Sequence, residues 1–481
     1  MKQPRNRWTL VAVALATFMT YLDNNIVNVA IPDIQRELHL STAGLEWVVS
    51  GYILTFAGLL LAGGRLADAF GRRRLFLIGL GVFTVASLVA GLSDGVGMLV
   101  AARAVQGLGA ALVTPTTLAI ISATFTETRA RNAAVGVWSG VGALALAVGP
   151  LLGGALTQHV SWEWIFYINI PVGIATMLLG AWAITESRES VARRLDLPGL
   201  VFSTVGLFAL TYALIEGHDK GWTSPTITGF FAFAAVSMLA FVLVERRSTT
   251  PMVNVSLFSQ RAFSGGIVAL MMWAFGLFGI YFFTSLYLQG VLGFSPTKAG
   301  AAFVPMALLM AAGAIVSDRV ARRFGAHRST GLAMLLMAVG IASVATLGQD
   351  ASFLSLMPSF AIIGVGGGLT IPLTATVLGV MPVDQAGVAS AVFNASREVA
   401  GLLGITVIGA ILTSRQGSAL RAGHSATDAF LTGYRTGLIV AAVLVALGGL
   451  AAYVALRDAA PTAQATDEAD GPTREVVALA G

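Results

Sequence analysis

A chain of 481 residues that is 56% apolar, only 11% charged and has a mean hydropathy of +0.80 is not an ordinary soluble protein, in which about a quarter of residues carry charge. The formal charge of +5 does not point to nucleic acid, because the basic residues fall in short stretches beside long apolar runs. With no cysteine, a disulfide framework and thiol chemistry are excluded.

Spanning a bilayer as helix takes about 20 apolar residues. Fourteen segments qualify, at 8–31, 45–66, 75–92, 96–121, 133–157, 164–184, 197–215, 226–244, 264–288, 297–317, 330–347, 353–378, 386–412 and 434–456. The first exceeds the ~7–15-residue core of a signal peptide and reads as a retained helix behind Lys2, Arg5 and Arg7. The tail 457–481, rich in Ala, Thr and Asp, is expected to be disordered. The expectation is an all-α integral membrane protein.

Charge orients these helices. If the N-terminus is cytoplasmic, 21 of the 29 Lys and Arg lie on that side. Arg36, Lys220, Lys298, Arg415, Arg421 and Arg435 lie outside, and Arg103 and Arg397 lie within helices. The bias predicts cytoplasmic termini, with 413–433 as an exceptional, arginine-bearing outer loop.

The chain also repeats itself. Phe70-Gly71 with Arg74 recurs 254 residues on as Phe324-Gly325 with Arg328. Gly107-Leu-Gly with Pro115 recurs 257 residues on as Gly364-Val-Gly with Pro372. Gly149-Pro150-Leu-Leu-Gly153 recurs 251 residues on as Ala400-Gly401-Leu-Leu-Gly404. Three landmarks in one order predict duplicated six-helix halves at 1–184 and 262–456, an inserted helix pair at 185–261 and a separate tail. Parallel six-helix repeats build major-facilitator transporters, whose substrate site lies near the midplane between halves.

Several motifs carry a resemblance to that superfamily. Gly64-Arg65-Leu66-Ala67-Asp68-Ala69-Phe70-Gly71-Arg72-Arg73-Arg74 resembles its loop signature, and Arg103 with Gln106-Gly107-Leu108-Gly109 its fourth-helix motif. Gly140 with Gly149-Pro150-Leu151-Leu152-Gly153-Gly154 resembles the antiporter motif of its exporters. Leu22-Asp23-Asn24-Asn25 through Pro32, and Trp162-Glu163-Trp164 with Asn169 and Pro171, resemble the fourteen-helix drug:proton antiporters. The resemblance covers residues 8 to about 456. It implies a major-facilitator fold of fourteen helices in the cytoplasmic membrane. It also implies a proton gradient in place of any cofactor. The partners would be protons, a lipophilic small molecule and the bilayer, with no nucleic acid; the chain would act as a monomer.

Within that frame the residues suggest roles. Asp23 lies eight residues from Ile31, about 12 Å along a helix, and Arg103 lies eight from Gly95, at the same depth. A charge in hydrocarbon costs at least ~2.5–3.5 kcal/mol, so the two are expected to pair or share a network that protonation of Asp23 loosens. Glu398 lies near the midplane of the thirteenth segment, where the family often has Gln, and suits a second proton site or a counter-charge for a cation, the alternative being a structural hydrogen bond to another helix. Arg397, about 100° around the helix from it, is not its automatic partner. Asn25 stands where the family usually has Thr.

In the loop, Gly64 and Gly71 permit a tight turn. Asp68 can accept from a neighbouring helix's first amides or from an arginine, forming a cytoplasmic gate with Arg65, Arg72, Arg73 and Arg74. Arg322 replaces that acid in the second copy, so the gate is expected to be stronger in the first half. Pro150 should kink its helix, and Gly136, Gly140, Gly142, Gly149, Gly153 and Gly154 should pack it closely. Phe18, Tyr21, Asn25, Gln106, Trp273, Phe278, Tyr281, Phe393, Asn394 and Arg397 are candidates for the substrate cavity, the alternative for each aromatic being packing or lipid contact. Trp47, Trp138, Trp162, Trp164 and Trp222 read as interfacial or packing residues. No HExxH metal motif, nucleophile elbow or Walker loop is present, and no metal site is expected. The expected activity is proton-coupled export of lipophilic drugs, cationic ones among them, the alternative being a dedicated exporter of one endogenous product.

Overall fold

The computed structural model describes residues 3–188, 196–248, 251, 253, 255–379 and 386–457. The expected disordered tail lies almost wholly outside these residues.

Among the described residues, fourteen helices are long and apolar enough to cross a membrane. They are α1 Arg5–Glu37, α2 Thr42–Phe70, α3 Arg72–Gly91, α4 Val96–Thr124, α5 Arg129–His159, α6 Trp164–Ala183, α7 Leu197–Lys220, α8 Pro225–Arg247, α9 Arg261–Val291, α10 Pro296–Phe324, α11 Ala326–Ala345, α12 Phe353–Leu378, α13 Ala389–Arg421 and α14 Ala426–Ala455. Serine starts many of them. Ser41, Ser224, Ser295, Ser352 and Ser425 each accept from an amide in the first turn of α2, α8, α10, α12 and α14, and Asp196 does the same for α7.

Three departures from the expected segments have physical causes. Arg415 and Arg421 do not belong to a loop; α13 carries helix to Arg421, and α14 begins eight residues before the expected 434. A run of apolar residues ends at the first Ser or Arg, whereas backbone hydrogen bonding continues into water. The twelfth segment breaks at Thr370 and Ile371 and restarts at Pro372, which has no N–H to continue the ladder. The α9 helix ends in a π-turn at Tyr287–Val291. That turn presents Gln289, whose Nε2 donates to the Val29 carbonyl of α1 at 2.8 Å.

The helices form two six-helix halves, α1–α6 and α9–α14, with α7 and α8 inserted. Duplication is visible in the contacts. A side chain at Gly107 would strike the Tyr52 carbonyl, and one at Gly364 the Met306 carbonyl, 254 residues beyond Tyr52. Likewise Gly153 rests on the Ile26 carbonyl and Gly404 on the Phe275 carbonyl. Gly71 and Gly325 end their helices with positive φ (108° and 84°), each amide bonding the carbonyl four residues back.

Contacts between the halves gather at one end, away from the basic loops; we call it the far end. There α5 crosses α10, and Gly154 and Gly300 bring backbone against Pro296 and Pro150. Thr297 donates from its amide to Gln158 (3.1 Å) and from its hydroxyl to the Gly154 carbonyl (3.2 Å). The equivalent pair, α2 and α13, meets where Glu46 rests on Gly409. The inserted helix α7 packs on both α2 and α13.

Candidate functional site

Two polar centres occupy the interior. The first lies wholly within the N-terminal half. Asp23 and Arg103 are both 0% exposed and form an ion pair through Arg103 Nη1 and Asp23 Oδ2. Around them, Gln106 Nε2 donates to Asp23 Oδ1 (3.1 Å) and to Ser87 Oγ (2.8 Å), and Asn169 Nδ2 donates to Asp23 Oδ1 (2.8 Å). Arg103 also donates to Gln106 Oε1 (3.0 Å) and the Val48 carbonyl (3.2 Å), and its guanidinium lies 4.4 Å from the Tyr52 ring centroid. Helices α1, α2, α3, α4 and α6 thus converge on one charge pair. Ser87 and Tyr52 had no sequence signal of their own. Asn169 was visible only as part of a family stretch. Gln106, expected in the cavity, is 0% exposed in this network instead, because the α4 face carrying Arg103 also carries the residue three positions on.

The second centre is a pocket between the halves with a volume of about 70 Å³. It brings together Tyr21, Asn25, Trp273, Phe278, Tyr281, Arg397 and Glu398 from the expected set, and adds Asn24, Asn28, Val49, Ile53, Leu146, Leu277 and Ile405. Phe18, Phe393 and Asn394 do not line it. Phe18 packs against the core, Phe393 is 2% exposed inside the C-terminal half, and Asn394 Nδ2 turns back to the Ser390 carbonyl at 2.9 Å. The helical angle left the pairing of Arg397 open, and the structure forms it. Arg397 donates from Nη2 (2.6 Å) and Nε (3.0 Å) to Glu398 Oε1, since its long side chain bends around the helix to reach its neighbour.

Four polar atoms at this pocket have no hydrogen-bond partner among the described residues: Trp273 Nε1, Tyr281 Oη, Glu398 Oε2 and Asn28 Oδ1. Buried polar groups are normally paired, so these unpaired donors and acceptors on lining residues mark the pocket as polar and unsatisfied. Tyr281 is held by stacking on Phe303, centroids 5.0 Å apart, which itself stacks on Phe360.

In the basic loop, Asp68 Oδ1 accepts from Arg72 Nη2 (2.8 Å) and Nε (3.1 Å). The first amides of α3 belong to another acid: Glu186 accepts from the Arg73 and Arg74 amides at 3.0 and 3.2 Å. Glu186 was missed because it lies outside the motif. Arg73 bonds the Ala181 carbonyl, Arg65 donates to the Pro251 carbonyl (3.1 Å), and Arg74 is exposed. On α5, Gly149, Gly153 and Gly154 make close approaches to Asn25, Ile26 and Pro296. A side chain at Gly136 or Gly140 would meet nothing within 4 Å, so those two do not serve packing as expected. Among the tryptophans, Nε1 of Trp47, Trp138 and Trp162 donates to Glu216 (3.0 Å), Thr117 (3.1 Å) and Glu37 (2.9 Å).

The family model of the Major Facilitator Superfamily matches residues 13–405. The chain belongs to the major facilitator superfamily. Among relatives of this major-facilitator protein, the puromycin resistance protein pur8 of Streptomyces alboniger is 35% identical, covering 97% of this chain and 94% of that one. The tetracenomycin C resistance and export protein of Streptomyces glaucescens is 37% identical, covering 85% and 76%. The multidrug resistance protein Stp of Mycobacterium tuberculosis is 36% identical, covering 84% and 76%. The fold is shared with solved structures at low identity. A bacterial homologue of the lysosomal transporter Spinster, inward-facing and unoccupied, has a TM-score of 0.66 at 17% identity, covering 94% and 97%. The POT family transporter PepTSo has 0.68 at 15%, covering 94% and 98%. This is therefore a multi-pass membrane protein of the major-facilitator fold.

Proposed function

We propose that this chain is a drug efflux transporter of the cytoplasmic membrane, exchanging lipophilic, aminated compounds for protons by alternating access. The relatives' names, as resistance and export proteins, support the drug class. The observation that carries it is the pocket between the halves. Aromatic walls from Trp273, Phe278 and Tyr281 face a carboxylate that has one oxygen on Arg397 and the other free. At about 70 Å³ the pocket has room for an ammonium head against Glu398 Oε2; to take the flat apolar body of a drug against the rings, the halves must move apart around it. Protonating Glu398 would release the ammonium and leave Arg397 to repel it, so one carboxyl can serve cation and proton in turn. Asp23 and Arg103, sealed inside one half, would set that half's shape rather than touch the guest.

In this reading the chain is a monomer with both termini in the cytoplasm. The basic end is cytoplasmic, the far end faces outside, and the form with the far end closed is the inward-facing one. Inverted vesicles loaded with an acid interior test it with a panel of cationic dyes and antibiotics. Uptake should appear with the pH gradient and vanish when an ionophore collapses it. Gradient-independent behaviour of every compound would refute proton-coupled export.

A further inference from the structure

Glu46 lies in the second turn of α2, 2% exposed, at the far-end seam between the halves. Its carboxylate rests on Gly409 of α13, where any side chain would collide with it. Oε2 has no hydrogen-bond partner among the described residues. No neighbouring cationic group forms an ion pair with Glu46 among the described residues. On α7, Glu216 is held by Trp47 (3.0 Å) and Lys220 (3.0 Å), His218 lies against Gly417 of α13, and Asp219 bears on Glu46 as another acid. On α1, Asp33 pairs with Arg36, and Glu37 accepts from Trp162 (2.9 Å). On α14, Asp428 accepts from Gln349 (2.8 Å), and Arg435 donates to the Leu347 carbonyl (3.0 Å). On α4, Arg103 is committed to Asp23. On α13, Arg415 and Arg421 form no ion pair with Glu46 among the described residues.

A carboxylate buried without a partner neutralises itself by taking a proton. When α2 and α13 part, the same group meets water, where a glutamate ionises with a reference pKa of about 4.3. We propose that Glu46 is a proton-binding site distinct from the central pocket, occupied whenever the far end is closed. Closing the seam converts carboxylate and hydronium into carboxylic acid and water. Opening returns the proton to the same side, so none crosses the membrane by this route. Acid outside then favours the outer-closed form. The inference rests on the alternating-access reading above.

The absence of cysteine makes the test direct. Spin labels on His159→Cys and Lys298→Cys, exposed on opposite halves at the far end, report seam opening in lipid vesicles between about pH 6 and about pH 9. The fraction of long distances should rise several-fold with pH in the otherwise native protein and stay low and flat with Glu46→Gln. An equal rise in both would overturn the proposal. Infrared difference spectra give a second measure that does not depend on motion. A buried carboxylic-acid C=O band present at neutral pH should be lost in Glu46→Gln; an unchanged spectrum would overturn it too. If distances never change in either protein, even with a cationic dye, alternating access at this end fails, and the infrared band still decides protonation.

Discussion

Each of the two interior carboxyls of the candidate machinery meets an arginine, but in different surroundings. Asp23 accepts from Arg103, Gln106 and Asn169 with no exposure, so Asp23→Asn leaves a buried guanidinium without its counter-charge. That loss should cost roughly 3–5 kcal/mol, seen as a sharply lowered unfolding temperature of the purified protein. Removing both charges with Asp23→Asn and Arg103→Met should recover part of it. Glu398 is different. It faces a pocket, and Arg397 beside it is 26% exposed. Glu398→Gln should therefore leave thermal stability near native but lower efflux of a monocationic dye by ~10-fold or more, with a smaller effect on a neutral compound. The sequence showed both acids and their depth. It did not show that Gln106 turns into the half and Tyr281 towards the seam, because rotation about a helix axis is set by packing across helices.

At the scale of helices, the α5 motif divides into two functions. Its far-end glycines are spacers for the crossing with α1 and α10, and Gly154 sits directly on the Pro296 backbone. Gly154→Val should wedge that crossing apart, abolish gradient-driven efflux and lengthen the 159–298 label distance. Gly140→Ala, at a position with open space, should leave both unchanged. The motif's spelling alone did not separate the two kinds of glycine; the difference comes from what α10 brings against the far-end half of α5. Helix number and order, by contrast, were legible, since about 20 apolar residues bounded by charge admit few other readings. Helix ends were less so. The α13 helix outruns its apolar stretch to Arg421, and α9 finishes in a π-turn that no apolar count marks.

For the whole molecule, three repeated landmarks sufficed to foresee two halves of six helices, and the glycine contacts at Gly107 and Gly364 show why those landmarks recur: each marks a backbone-on-backbone crossing. What could not be foreseen is where the inserted helices sit, as they have no counterpart in the repeat. They break the two-fold likeness of the seams. Helix α7 lies along α2 and α13 and keeps Trp47 tied to Glu216, whereas among the described residues it makes no extensive packing with α5 or α10. The consequence is kinematic. Two bodies braced along one flank open less on that flank than on the other. A given rotation then displaces Gly300 from Pro150 further than it displaces Gly409 from Glu46. Label pairs across the two flanks should accordingly report unequal excursions, the larger on the side without α7.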